Sequence, residues 1–370
     1  MKLSKITPIA FAVAVASGSV GFAGQASAGV TVDEKKKVQL YGNVRFRGER
    51  DDRISSSDAN QTRTRLRFRV RAGIKYQPNE QWSGELRLST GKNGNSPYTT
   101  FNSGTEDSSS AMVFDRAYIA FAPVDGLSLI AGRTPLNFWQ QNEQWWDTDR
   151  SPDALAVVYK TGGLTLNGNY TVLVDGARGS SWSEDVIATM YQAVYKGKTA
   201  GLNYTAALGG ASLNKADLFP DKGGGSTGLQ SDGHWIASLQ AKGGKWLAGA
   251  DMIKGNANVE NTAVVAQGRY KITNKIQLRL YYYKVEAFST LGDGMYSQDN
   301  WPNPNDNGVS NFQGIRYQLD YKIAKGTSLD LRYYDGERIV DTATLPGTAS
   351  DALLNDKDRN RLQINITVKF

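Results

Sequence analysis

Apolar and polar positions alternate along most of this chain with a period of two, and the clearest instance is RTRLRFRVRAGIKY, Arg63 to Tyr76. Leu66, Phe68, Val70, Ala72 and Ile74 fall on one parity; Arg63, Arg65, Arg67, Arg69 and Arg71, followed by Lys75, fall on the other. Wound as a helix, successive arginines would step about 200° around the axis and leave no continuous apolar face. As a strand the segment has two clean faces. At roughly 3.4 Å per residue the arginine ladder, Arg63 to Arg71, spans about 27 Å, near the ~25 Å apolar band that a transmembrane strand must cross.

Sixteen segments between Val38 and Phe370 repeat the pattern. The first is expected over Val38 to Glu49, the fifth over Leu127 to Phe138, the ninth over Thr199 to Gly209 and the thirteenth over Ile276 to Phe288. QPNE, PVDG, TGG, GK, GG, TN and AKG are hairpin-type links made of turn residues. The links between those hairpins are mostly longer and rich in Gly, Ser, Asn and Asp. An even strand count, with short periplasmic turns at one end and long external loops at the other, is the closure condition of a membrane barrel. The predicted fold is therefore all-β, a closed antiparallel transmembrane β-barrel of about 16 strands. Tyr76, Trp82, Phe121, Tyr159, Tyr195, Trp246, Tyr321 and Phe370 share the apolar parity beside a short turn or at the last residue, where an aromatic girdle would lie.

The opening MKLSKITPIAFAVAVASGSVGFAGQASA changes the picture by adding a destination. Lys2 and Lys5 precede an apolar stretch and an Ala26-Ser27-Ala28 site, the layout of a secretory signal peptide. Cleavage is expected after Ala28, leaving the barrel over residues 29–370 of an exported protein. No later apolar run approaches the ~20 residues of a spanning helix. Gly (39) and Tyr (18) are plentiful, as suits short turns and girdles. Cysteine is absent, which excludes disulfides, thiolate metal sites and a CxxCH haem attachment. The formal charge is +7, or +5 once Lys2 and Lys5 are removed. Arginines on a membrane-length strand of an exported chain argue against nucleic acid as the partner.

Arginine on the lipid face costs roughly 2–4 kcal/mol at the midplane, so a strand with several must turn them to the lumen. Like charges about 6.8 Å apart repel by roughly 0.6 kcal/mol in water and far more in a dry interior. A lumen that tolerates them holds water or many acids. Arg45 and Arg47 on the first strand, Arg87 on the third and Arg116 on the fourth join the same side, with Glu49 and Glu85 as the acids noted among them. The third long connection, WQQNEQWWDTDRSPD, carries Trp139, Glu143, Trp145, Trp146, Asp147, Asp149 and Arg150. Folded inward, it would set carboxylates opposite the basic wall and create a constriction with a transverse field. Alternatively, its acids cap an external loop and ordinary cross-strand pairs satisfy the ladder. The one histidine, His234, is expected at the surface beside a glycine; no catalytic constellation, cofactor site or complete metal-ligand set is readable.

The stretch from RTRLRFRVRAGIKY through LSTGKNG, DRAYIAFAPVDGLSLIAGRTP and WWDTDRSPDALAVVYK resembles the Gram-negative porins and is similar to a group called "putative porins". The similarity runs from about Gln61 to Lys160, and the last strand, ending in Phe370, resembles the assembly signal of outer-membrane barrels. The resemblance implies a sixteen-stranded barrel of the cell outer membrane, often a homotrimer, with the third external loop in the channel. By that likeness Arg45, Arg47, Arg65, Arg67, Arg69, Arg87 and Arg116 form a basic wall, and Glu143, Asp147 and Asp149 an acidic lip. The pore-lining basic set expected from parity adds Arg63 and Arg71. Expected partners are outer-membrane lipid and lipopolysaccharide, the barrel assembly machinery through Phe370, and small polar or anionic solutes. The PEFGG-like loop motif of general diffusion porins is absent. The function expected is passive diffusion of small hydrophilic solutes with a bias toward anions. An anion-specific phosphate- or carboxylate-type channel, or a structural sleeve around a partner, are the alternatives.

Overall fold

The computed structural model describes residues 30–31, 37–91, 97–101, 111–174, 185–214, 232–290, 310–345 and 356–370. The expected leader lies outside these residues. Sixteen long strands run in chain order: β1 Val38–Ile54, β2 Asn60–Tyr76, β3 Trp82–Thr90, β4 Met112–Phe121, β5 Leu127–Arg133, β6 Asp153–Thr161, β7 Leu164–Val174 and β8 Val186–Thr199. They continue as β9 Leu202–Leu213, β10 Gly233–Gly243, β11 Trp246–Gly255, β12 Thr262–Lys271, β13 Ile276–Val285, β14 Phe312–Ala324, β15 Thr327–Arg338 and β16 Asp358–Lys369. Each pairs antiparallel with its sequence neighbours, and β16 pairs with β1 from Asp358↔Ile54 to Lys369↔Asn43. The sheet closes on itself. Two-residue pieces, Val30–Thr31 and Thr99–Thr100, pair with β1 and β2. Among the described residues no helix is long and apolar enough to cross a membrane.

Closure follows from the alternation. Phe46, Leu66, Ile74, Leu86, Ile119, Leu155, Leu208, Leu239 and Ile364 are all exposed on the outer wall, while the residues between them are covered. An apolar exterior of this kind is stable only against lipid. The girdle positions also point outward: Tyr76, Trp82, Tyr159, Tyr195, Trp246, Tyr321 and Phe370 are exposed, and Phe121 stacks on Trp82 at 4.5 Å. Phe370 and Gly42 exchange two backbone hydrogen bonds of 2.8 and 3.0 Å, fastening the last strand to the first.

Several boundaries depart from the pattern, including β8, which runs to Thr199, and β9, which runs to Leu213 rather than Gly209. β1 continues to Ile54 because Asp51, Asp52 and Arg53 remain in register with β2 and β16. β9 starts at Leu202, after the turn at Ala200 and Gly201. β13 stops at Val285, where Glu286 leaves the ladder to accept from the Thr262 amide. β5 ends at Arg133 rather than Phe138. Gly132 sits at φ +117, where a Cβ would lie 2.4 Å from the Ala117 carbonyl oxygen, and Pro135 has no amide to offer the ladder. The chain leaves the wall there and turns into the barrel.

Candidate functional site

The arginine ladder occupies one inner wall, made by β16 and β1–β4. Arg45, Arg47, Arg65, Arg67, Arg69, Arg71 and Arg87 are all buried inward, Arg116 is partly buried, and Arg63 stands exposed at the loop end of β2. Register puts Arg45 opposite Arg69 and Arg47 opposite Arg67, an arrangement that is repulsive by itself. Carboxylates interleave with it. Glu49 forms an ion pair with Arg65 and accepts from Arg361, and Arg67 lies 3.7 Å away. Asp51 takes a two-pronged bond from Arg359. Arg116 and Tyr118 donate to the two oxygens of Glu85 at 3.0 and 2.8 Å. Arg45 and Arg47 lean on Thr367 and Asn365 of β16.

Asp115 was invisible to parity. A β-bulge between Arg87 and Leu88 lets both Asp115 and Arg116 turn inward. Asp115 then receives Arg87 at 2.8 and 2.6 Å and stands 3.4 Å from Arg71. Tyr98, from the second long connection, was also missed. Its ring lies 4.0 Å from the Arg47 guanidinium and 5.2 Å from that of Arg67, and its hydroxyl accepts from Arg45 at 2.9 Å. An aromatic face over clustered cations lowers their mutual cost.

The third long connection, residues 134–152, lies inside the barrel and touches two walls. On the arginine side, Asp149 accepts from Arg69 at 3.0 Å through both oxygens and from Arg71 at 2.8 Å. The carboxylate therefore sits on the basic wall, not across a gap from it; a two-pronged guanidinium contact outweighs a bare field at this range. On the far side the Trp139 amide and carbonyl are both bonded by Gln192 of β8. Gln141 donates to Asp251 of β11 at 2.7 Å and to the Ala250 carbonyl at 2.9 Å, and accepts from Gln267 of β12. Asn142 donates to the other Asp251 oxygen. Gly249 makes this approach possible, since a Cβ there would meet the Gln141 side-chain oxygen at 1.9 Å.

Around these polar anchors the far wall is apolar. Phe138, Trp145 and Trp146 of the loop pack with Val186, Ala188, Met190, Ile236, Ile253, Val265, Tyr283 and Phe312, all on inner faces. Phe138 stacks on Trp145 at 4.7 Å. His234, expected at the surface, is instead buried beside Trp145, ring to ring at 6.0 Å, because its parity on β10 points inward. Within the loop, Asp147 accepts from the Asp149 amide at 2.8 Å and Thr148 donates to Glu143. Burial, reinforced by Asp149 and Glu143, pushes the Asp147 carboxyl well above the usual range. Trp146 donates to the Arg150 carbonyl at 3.1 Å, closing the loop's tip. Of the sequence-identified set, the structure thus joins Asp149 to the ladder, sends Trp145 and Trp146 to the opposite wall, and keeps Glu143, Asp147 and Arg150 within the loop itself.

A closed barrel of sixteen antiparallel strands, apolar outside, charged on one inner wall and crossed by its third loop, is an outer-membrane porin architecture. Residues 49–197, from the end of β1 through β8 and including the inward loop, match the family described as "Putative porin". Among solved structures, OprB of Pseudomonas putida at high pH superposes with a TM-score of 0.58 at 12% identity, covering 91% of this chain and 95% of that one. A mutant of the Rh. blastica porin does so with a TM-score of 0.51 at 12% identity, covering 90% and 100%. At such identity the likeness is one of fold. No curated protein matches the sequence.

Proposed function

We propose that the protein is a passive outer-membrane channel for small hydrophilic solutes, biased toward anions, with residues 1–28 directing its export. The observation that carries the reading is the inward loop, fixed at Asp149 on one wall and at Gln141 and Asn142 on the other. A loop so held narrows the interior without closing the wall around it, and narrowing is how a wide barrel discriminates. The anion bias is supported by composition of the charged wall, where the guanidiniums outnumber Glu49, Asp51, Glu85, Asp115 and Asp149. Fixed positive excess beside an aqueous path raises local anion concentration.

The test is reversal potential in a salt gradient across a planar bilayer, with Arg65, Arg67 and Arg69 replaced together by Gln. The wild-type channel should favour anions, and the variant should shift toward cations because three positive charges are gone while, of the guanidiniums named above, Glu49 keeps Arg361 and Asp149 keeps Arg71. Heat-resistant migration on gels checks that the barrel still folds. Selectivity that does not move would remove the ladder from the permeation path, and a purified barrel without conductance would favour a sleeve closed by its loop.

A further inference from the structure

The inner face carries a second set of cations toward the short-turn ends of the strands, apart from the ladder except at Lys369, which stands nearest to Arg45 and Arg69. Lys160, Lys196, Lys242, Lys271, Lys322 and Lys369 occupy the ends of β6, β8, β10, β12, β14 and β16, beside the short turns or, for Lys369, at the strand's own end. Their parity is fixed by neighbours two residues back. Val158 is buried inside, Gln240 and Arg269 reach Gln141 of the inward loop, and Thr367 accepts from Arg45. Outward-pointing Tyr159, Tyr195, Tyr270 and Tyr321 each precede a lysine of the set, and Phe370 follows Lys369. The girdle thus has an inner counterpart at the same level. Because the lysines lie on alternate strands, neighbours stand about 10 Å apart along the rim, close to one Debye length at physiological salt. Their fields overlap into one band.

Unlike the arginines, these six ammonium groups have no hydrogen bond or ion pair among the described residues, and each is exposed or half-buried. The inner-face acids nearest the rim are engaged elsewhere: Asp320 by Arg279, Asp330 by Arg332 and Glu85 by Arg116. Glu80 and Asp125 are the acids of the short turns, and both lie between strands that lack one of these lysines. Register sets Thr165, Thr205, Asn203, Gln277 and Ser328, all neutral, across from the lysines. A band of unpaired, flexible ammonium groups with no acid beside it is a receptor for multivalent anions.

We propose that the short-turn mouth is a binding rim for small multivalent anions, carboxylate or phosphate in type, formed by these six lysines. This rests on the reading of the inner face as an aqueous path. Flexible stems let two or three ammonium groups converge on one polyanion, whereas a monovalent ion gains one contact. The ladder's guanidiniums are fixed in place by carboxylates, by Thr367 and Asn365 and by Tyr98; the rim's ammonium groups are not. Solutes entering at the short-turn mouth meet the lysines first.

The experiment titrates citrate and pyrophosphate into the lipid-free barrel in detergent by calorimetry, and in parallel adds each to one side of a conducting bilayer. Wild type should bind both anions, and the channel should be blocked from one side only. Replacing the six lysines with Gln should weaken binding and block at least tenfold, while the Arg65, Arg67 and Arg69 variant keeps both. Equal affinity in the lysine variant would overturn the rim. Phospholipid phosphorus that co-purifies with wild type and is lost in the lysine variant, with citrate binding unchanged, would assign the lysines to lipid headgroups and overturn it too. Anion binding without any conductance would sink the channel reading and leave the rim standing.

Discussion

The two inner walls solve opposite problems. On the wall of β16 and β1–β4, charges are crowded and held by one another: Glu49 gathers Arg65 and Arg361, Asp115 gathers Arg71 and Arg87, and Asp149 bridges Arg69 and Arg71. On the wall of β8–β13, Met190, Ile236, Ile253, Val265 and Tyr283 form an apolar bed that Phe138, Trp145 and Trp146 fill. The loop joins them, and its composition mirrors the division: aromatics and amides toward one side, Asp149 toward the other. The contrast teaches that the interior is not a uniform aqueous lining. A charged wall without the loop would lack one of its carboxylates, and an apolar wall without it would be left facing water.

The largest effect should come from the charged wall. Glu49→Gln leaves Arg65 and Arg361 buried without their counter-charge, a change worth about 3–5 kcal/mol when a buried pair is broken. The barrel's thermal unfolding on gels should drop sharply. Little change would mean that water already screens that wall. On the apolar wall, Trp145→Ala removes the aromatic packed on Phe138 and beside His234, at about 3–5 kcal/mol for a core tryptophan. Its cost should fall on loop docking, so protease nicking between residues 134 and 152 should rise while the strands stay intact.

Gly249→Val tests the seam between loop and bed. The added side chain displaces Gln141 and loosens the loop by about 1–3 kcal/mol, read as noisier single-channel current; a quiet trace would show the amide anchor to be dispensable. The smallest effect is at Asp147. Its carboxyl is raised in the docked loop, so its contribution is complete below the ordinary value of 3.8 and is lost as pH rises through the raised one. Asp147→Asn should then hold the loop tighter at neutral pH by about 1 kcal/mol and flatten the pH dependence of nicking. A variant that is nicked faster would reverse the sign assigned to the group.

The charged wall was legible in the sequence because lipid forces the period. Leu66, Phe68 and Val70 must face out, so Arg65, Arg67 and Arg69 must face in, and the strand ends were read within a few residues where a short turn followed. The apolar wall was not legible. Ile236, Ile253 and Val265 are apolar on the inner parity too, and periodicity carries no record of a loop that covers them. Asp115 was hidden by the bulge that shifts parity by one residue, and Tyr98 by lying in a connection with no alternation. Gln141 and Asn142, the loop's far anchors, are ordinary amides whose role depends on a β11 carboxylate more than a hundred residues away. The lysines beside the girdle were in plain view. The outward aromatics next to them carry the stronger periodic signal.

Replacing residues 139–150 by a short Gly-Ser link and recording single-channel conductance with reversal potential tests the central claim most directly. If the loop spans the interior between the two walls, conductance should rise several-fold and anion preference should weaken as the path widens. Unchanged conductance and selectivity in a folded barrel would contradict the account.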